Sequence, residues 1–325
     1  MTFSQSTKLE ILKILRHLRG CCATSFLTAV LKSIGSLTLG YKSFGFVVES
    51  ENHEMLTFCK HLAEANLGIS AEIESSNLNV KGEAVYSCEF LGNIGEKLGL
   101  VYRDEEGTMQ INNRLEEILP TKDCCKRAFM QGLFVASGSV VIPLGSNDLA
   151  ESETRGKYHL ELRLANTQLA KAIQQTFAEW SFHTLERKNR TILYLKESEK
   201  IADFLVYLGA TSASLKLENV IIGRSIRNTA NRQSNCISAN IDKAIQASEK
   251  QLIAIATLRQ KGLFDSLSDQ LKEIALLREE FPEAGLEELA NRLGISKSGA
   301  NHRLTRLIQL SQQDSLFAKN TTRIP

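Results

Sequence analysis

Thiols are the first groups in this 325-residue chain to suggest chemistry. Seven cysteines occur, and four of them stand as adjacent pairs, Cys21-Cys22 and Cys124-Cys125. A thiolate acts as nucleophile or soft-metal ligand when exposure and a cationic neighbour lower its pKa. Lys122, Lys126 and Arg127 flank the second pair, which makes such activation conceivable. Yet no C-x-x-C spacing exists, and an odd number of cysteines does not make a disulfide framework. The expectation is reduced, mostly buried thiols in a cytosolic protein, the pairs serving as packing residues near helix starts, with no metal and no cofactor. His17, His53, His61, His159 and His183 are scattered singly, without ligand spacing or an attendant nucleophile. No residue is assigned a catalytic role.

A second chemistry is hydrogen bonding to nucleic acid. In "LGISKSGANHRLTRLIQL", the residues Ser296, Lys297, Ser298, Asn301, His302, Arg303 and Arg306 supply donors for phosphate oxygens and for base edges, and no acid interrupts them. A solvated helix face would usually mix signs. The overall formal charge of +2 argues for no partner, so the local concentration of charge carries the signal. Further upstream, Arg224, Arg227 and Arg232 are candidate phosphate contacts among Asn228, Asn231, Asn235 and Asn240. The alternative for this stretch is a hydrogen-bonded connector in which asparagines order turns.

The elements that position these groups can be read from periodicity. Residues 261 to 325 contain a helix with Leu271, Ile274, Ala275, Leu276 and Leu277 that stops near Pro282, then a short helix with Leu286, Leu289 and Ala290. Gly294 suits the positive φ of a helix end, Ser296 suits an N-cap, and Leu304, Leu307 and Ile308 line the buried side of a third helix. That is the helix-turn-helix pattern. Residues 211 to 260 read as a helical connector rich in Asn and Arg, with a polar interval between two helices.

Residues 1 to 210 read as a two-repeat α+β domain. "CCATSFLTAVLKSIGSL" and "CCKRAFMQGLFVASGSV" share a Cys pair, a Phe and a terminal Gly-Ser in one ungapped register. "FGFVVESENHEMLTFCKHLAEANLGISAEIE" and "YHLELRLANTQLAKAIQQTFAEWSFHTLERK" each give a strand, an Asn-containing turn, an amphipathic helix and a strand. Asn52 and Asn166 hold matching capping positions, and Pro143, Gly145, Ser146 and Asn147 signal a loop inserted into the second repeat. The paired apolar helices are expected to pack together at a pseudo-twofold seam, their small terminal residues allowing close approach.

These repeats resemble the LAGLIDADG homing-endonuclease fold. The resemblance implies that the last acidic residue of each helical motif would hold a catalytic divalent metal, but those positions carry Ile34 in "LTAVLKSIG" and Ser137 in "MQGLFVASG". Neither offers the carboxylate that Mg²⁺ requires. With "DCCKRAFMQGLFVASGSV", "YHLEL", "LENVIIGRSIRNTANRQSNCISAN" and "LGISKSGANHRL", nearly the whole chain resembles the WhiA family. That implies a degenerate homing-endonuclease domain joined to a helix-turn-helix. The implied function is non-enzymatic, sequence-selective binding of double-stranded DNA in transcriptional control of sporulation, or of cell division and chromosome segregation, at the nucleoid in the cytoplasm. Rival readings are an active endonuclease and a protein-binding adaptor, and the N-terminal domain is a place for a protein partner. No run of about 18 apolar residues, as a membrane-spanning helix needs, occurs.

Overall fold

Small polar side chains start several of the helices by satisfying N–H groups that the first turn leaves open. Thr2 and Gln5 form a reciprocal capping box on α1 (Phe3–Ile14). The first repeat follows as α2 (Gly20–Ile34), β1 (Gly35–Leu39), β2 (Phe44–Ser50), α3 (His53–Leu67), β3 (Ala71–Leu78), β4 (Ala84–Phe90) and α4 (Ile94–Lys97). A hairpin of β5 (Val101–Arg103) and β6 (Met109–Ile111), then α5 (Leu115–Ile118), leads to the second repeat. This comprises α6 (Asp123–Ser137), β7 (Gly138–Val141), β8 (His159–Leu164), α7 (Thr167–Thr176), β9 (His183–Arg187), β10 (Arg190–Leu195) and α8 (Ser198–Tyr207). The computed structural model describes residues 1–39, 44–78, 82, 84–112, 114–143, 157–188 and 190–313. Pro143 is among them; Gly145, Ser146 and Asn147 lie outside the described residues.

The two repeats build the same sheet twice. The antiparallel orders are β1-β2-β4-β3 and β7-β8-β10-β9. Asn52 accepts from Met55 N at 3.0 Å and Asn166 from Gln168 N at 2.7 Å, so the matched asparagines cap α3 and α7 as their positions suggest. Alternation then buries Phe46, Val48, Cys88 and Phe90 in one sheet and Leu160, Leu162, Leu193 and Leu195 in the other.

Helices α2 and α6 pack against each other, as expected, but the residues that let them meet are not the terminal glycines. A Cβ added at Gly132 would lie 2.5 Å from Phe26 O and 3.0 Å from Ala29 Cβ, across the seam. Ala29 and Gly132 occupy equivalent repeat positions, flanked at helical spacing by Ser25 and Ser33 on α2 and by Ala128 and Ala136 on α6. Side chains four apart share one helix face, so each helix presents a stripe of small residues. Gly35 and Gly138 have a different task. Added Cβ atoms there would lie 2.5 Å from Leu31 O and 2.6 Å from Phe134 O, within their own chains, where each helix passes straight into a strand.

The Asn-rich stretch does not separate two helices. One continuous helix, α9 (Thr211–Gln260), runs through it. Its start is capped from a distance, since Glu10 accepts from Ser212 N at 2.7 Å and from Ala213 N at 3.1 Å. The chain divides at Arg224, inside this helix, into units Met1–Arg224 and Ser225–Pro325. Composition shifts at Ala210, but Ala213 and Leu217 still belong to the first core, with Val220 and Ile221 packed against it. From 225 to 247 every residue of α9 is exposed. Helical N–H and C=O groups pair within the helix, so this polar stretch needs no tertiary partner for its backbone.

In the second unit α10 (Asp269–Glu280), α11 (Leu286–Arg292) and α12 (Lys297–Gln312) surround a core of Ile274, Leu289, Leu304 and Leu307, to which α9 contributes Ile255 and Leu258. Leu276 of α10 is 52% exposed, while Ile274 and Ala275 face the core.

Two measurements test this packing. Gly132→Ala is expected to lower stability by about 1–3 kcal/mol through overpacking against backbone. Gly223→Ala, whose Cβ would meet nothing within 4 Å, should be neutral or stabilise by up to about 1 kcal/mol; thermal melts of the two variants distinguish the sites. A fragment of residues 1–224 should melt at higher temperature than one of residues 1–210, which loses Leu217 and the groups that Glu10 caps.

Candidate nucleic-acid interface

Helix α12 is fixed by its cap and its buried side. Gly294 adopts φ +63°, the left-handed region open to glycine, and turns the chain after α11. Ser296 Oγ then accepts from Gly299 N at 3.1 Å. Ala300, Leu304 and Leu307 face the core. The opposite side presents Ser298, Asn301, His302, Thr305, Arg306 and Gln309 to solvent. Thr305 and Gln309 belong with this set, although the donor-and-base pattern passes over them; the 3.6-residue period measured from Leu304 and Leu307 brings them in.

Arg303 sits differently from the others. It was expected on the exposed side, yet its side chain is only 19% exposed and lies 3.8 Å from Glu273 of α10. The helix period places it beside Leu304 and Leu307, on the flank that turns toward α10. Lys297 remains exposed, with Glu287 of α11 at 3.5 Å, and Arg292 pairs with Glu288 at 2.8 Å while stacking over Phe281. Neighbouring helices thus supply the acids that α12 lacks. Among the described residues, Arg306 has no acid within ion-pair distance and hydrogen-bonds Gln309 at 3.3 Å.

A side chain that the sequence did not single out sets the turn between α10 and α11. Arg278 is 2% exposed, and its Nη1 donates to the carbonyls of Phe281, Pro282 and Ala284, the last at 2.7 Å. Ser248 of α9 also donates to Pro282 O, at 2.6 Å. Burial lowers the arginine pKa below its ordinary value. Its sequence signal is faint, a single arginine inside an otherwise apolar helix face.

In the first unit, α2 ends on Ile34 and α6 on Ser137. Ile34 packs against the core, and Ser137 Oγ donates back to Leu133 O at 3.1 Å. A nuclease metal needs anionic oxygens here, so these residues do not fit one. Two strand acids lie near these positions by register: Glu49, which follows the Val48 paired with Gly35, and Glu161, which lies opposite Ser139 and is held by Arg163 at 2.5 Å and His159 at 3.3 Å. Burial and then Arg163 lower the pKa of Lys8 to about 8, which weakens its charge near β8. Glu10 is committed to the start of α9.

The outward faces of the two sheets differ in sign. Residues that alternate with the buried ones on β2, β3 and β4 include Glu49, Glu72, Glu74 and Glu89, all exposed, with Glu72 directly opposite Glu89. The same positions of β8, β9 and β10 include Arg163, Arg187 and Arg190. Tyr194 stands between His159 and His183 there, with ring centroids 5.6 and 5.3 Å away.

Comparison with known proteins agrees with both units. Residues 126–227 match the WhiA LAGLIDADG-like domain, and residues 230–311 match the WhiA C-terminal HTH domain. A protein of Bacillus licheniformis named "Probable cell division protein WhiA" is 34% identical over 96% of this chain and 97% of its own. One of the same name from Carboxydothermus hydrogenoformans is 32% identical over 96% and 98%. The chain belongs to the WhiA family. The crystal structure of full-length DUF199/WhiA from Thermatoga maritima shares the fold, with TM-score 0.55 and 22% identity over 96% of this chain and 99% of that one.

Within this WhiA-family chain the upstream arginines are spread along α9 rather than gathered at α12. Arg224 lies over the Tyr158 ring at 5.3 Å, while Arg227 and Arg232 lie on the exposed stretch of that helix. Asn228, Asn231, Asn235 and Asn240 cap nothing, because the helix does not end near them.

Arg278→Met should lower the melting temperature of the second unit by an amount corresponding to about 1–3 kcal/mol, since buried carbonyls lose a charged donor. DNA affinity should fall with it.

Proposed function

We propose that this chain is a non-enzymatic regulator that binds double-stranded DNA through the outward face of α12. The observation that carries the reading is that face itself: six exposed donor-bearing residues, Ser298 to Gln309, without an acid on the helix. Small and polar residues at 298, 301, 302 and 305 let a capped helix approach a major groove, and Arg306 can take a guanine edge or a phosphate. The positively charged N-terminus of α12 is open to a phosphate as well, beside Lys297.

Cleavage is disfavoured by residue types rather than by any missing ligand. Ile34 and Ser137 leave the seam without a pair of carboxylates to clamp a scissile phosphate. The sheets offer a second argument. A duplex laid across both would meet arginines on one half and four glutamates on the other, and like charge repels phosphate. We therefore assign the N-terminal domain to contact with another protein rather than to a second DNA saddle. Participation in cell division follows the name of the relatives, and action at the nucleoid follows from DNA binding; a role in sporulation or chromosome segregation is the corresponding family expectation.

Titration of labelled duplexes tests the reading. Arg306→Ala should weaken preferred sites by about 1–3 kcal/mol and relax discrimination, whereas Lys297→Ala should weaken all duplexes alike and reduce the salt slope by about one. Arg303→Ala should act mainly on the stability of the second unit. Binding of both Arg306→Ala and Lys297→Ala like the parent would overturn the assignment. The parent chain should leave supercoiled plasmid uncut in Mg²⁺ or Mn²⁺; nicking that Glu161→Gln abolishes would restore the nuclease.

A further inference from the structure

The two cysteine pairs were expected to be separate packing residues. The fold instead brings them together. Cys21 and Cys124 begin the small-residue stripes that run through Ala29 and Gly132, one turn ahead of Ser25 and Ala128, so packing of α2 on α6 carries both pairs to one end of the seam. The thiol sulfurs of Cys21, Cys22 and Cys125 all lie within 4.8 Å of one another. The Cys124 thiol acts on the ionisation of Cys22 and Cys125, although its sulfur does not lie within 4.8 Å of all three and must turn inward to join them. Cys21 and Cys124 are exposed, Cys22 is half-buried and Cys125 is buried, so the group has both an opening and a floor.

We propose that Cys21, Cys22, Cys124 and Cys125 form a four-thiolate site for a single soft divalent cation, zinc, that joins the two repeats at the N-terminal ends of α2 and α6. The spacing suits one ion: tetrahedral zinc with bonds of about 2.3 Å places its sulfurs about 3.8 Å apart, which three of the four already approach within small side-chain rotations. An iron–sulfur cubane needs its cysteines farther apart, and a disulfide would use only two of the four converging sulfurs.

The helix N-termini and Lys122 favour a thiolate at Cys21, while burial opposes ionisation of Cys22 and Cys125. Both helices point their N-termini at the group, and neither N-cap residue, Arg19 or Lys122, makes a side-chain cap, although Asn66 accepts from Gly20 N at 3.0 Å at the start of α2. Cys21 is held below the ordinary thiol pKa, chiefly by the hydrogen bond from Cys125 and further by Lys122. Burial pushes Cys22 up to about 12 and Cys125 to about 11, which keeps these two unreactive until a cation displaces their protons. Ser25 hydrogen-bonds the Cys125 thiol and donates to Cys21 O at 2.8 Å, orienting ligands from both repeats. The site lies at the opposite end of the helices from Ile34 and Ser137, so it is separate from any nuclease metal position, and its task is to fix the seam.

The test uses the full chain, reduced and stripped with a chelator, then titrated with Co²⁺ under reductant. One equivalent should produce thiolate-to-cobalt charge transfer and the intense visible bands of tetrahedral cobalt. One equivalent of Zn²⁺ should bleach them and raise the melting temperature. Cys21→Ser and Cys124→Ser, both at exposed positions, should each lose the tetrathiolate spectrum and the zinc-dependent rise in melting temperature. A featureless cobalt spectrum in the reduced parent, or spectra unchanged in both variants, overturns the site. Peptide mapping that finds a Cys21–Cys125 disulfide as the resting form of the protein, with no zinc recovered, overturns it in favour of a redox link.

Discussion

The approach of α2 to α6 at Ala29 and Gly132 is the contact on which the first unit depends. Any Cβ at Gly132 would run into the backbone of the opposite helix. With small residues at every fourth position, the helix backbones come close enough for Phe26, Phe129 and Phe134 to fill the space on either side. Each helix then passes directly into a strand, so the seam also sets where both sheets begin. Close packing of this kind tolerates little change in volume.

The second unit solves a smaller problem with polar groups. A helix-turn-helix needs its turn held rigid while one helix face stays bare for DNA. Arg278 and Ser248 hold the 281–284 turn from beneath, and Glu287 and Glu273 hold Lys297 and Arg303 from the sides. The exposed Lys297–Glu287 pair contributes little to stability, of the order of 0–1 kcal/mol, whereas Arg303 is only 19% exposed. The larger effect of both pairs is geometric, since they leave Arg306 as the base on α12 most open to a ligand.

Duplication of the fold has been accompanied by divergence of its surfaces. One sheet turns four glutamates outward and the other three arginines with a single glutamate, Glu161, although their inward residues do the same work. The helices end on Ile34 and Ser137, which carry no acid, while the cysteine pairs at their other ends are matched.

Much of this was legible in the sequence because it is local. Alternation within strands, the Asn52 and Asn166 caps, the Gly294 turn and the Ser296 cap each depend on residues a few positions apart, and the shared register of the two cysteine-led helices exposed the repeat. The family resemblance rested on the same short stretches. Other features depend on residues distant in the chain, which spacing cannot relate. Arg303 turns toward Glu273 because α10 packs there, and α9 stays helical through its asparagines because its backbone bonds to itself and Glu10 caps it from α1. The cysteines show the limit most plainly. By spacing alone Cys21-Cys22 and Cys124-Cys125 form no ligand set, and only the packing of α2 on α6, which overrides more than a hundred intervening residues, brings the sulfurs of Cys21, Cys22 and Cys125 within 4.8 Å of one another. Sequence determines which side chains each element presents; tertiary packing decides which of them meet, because contact between elements is set by shape in three dimensions and not by distance along the chain.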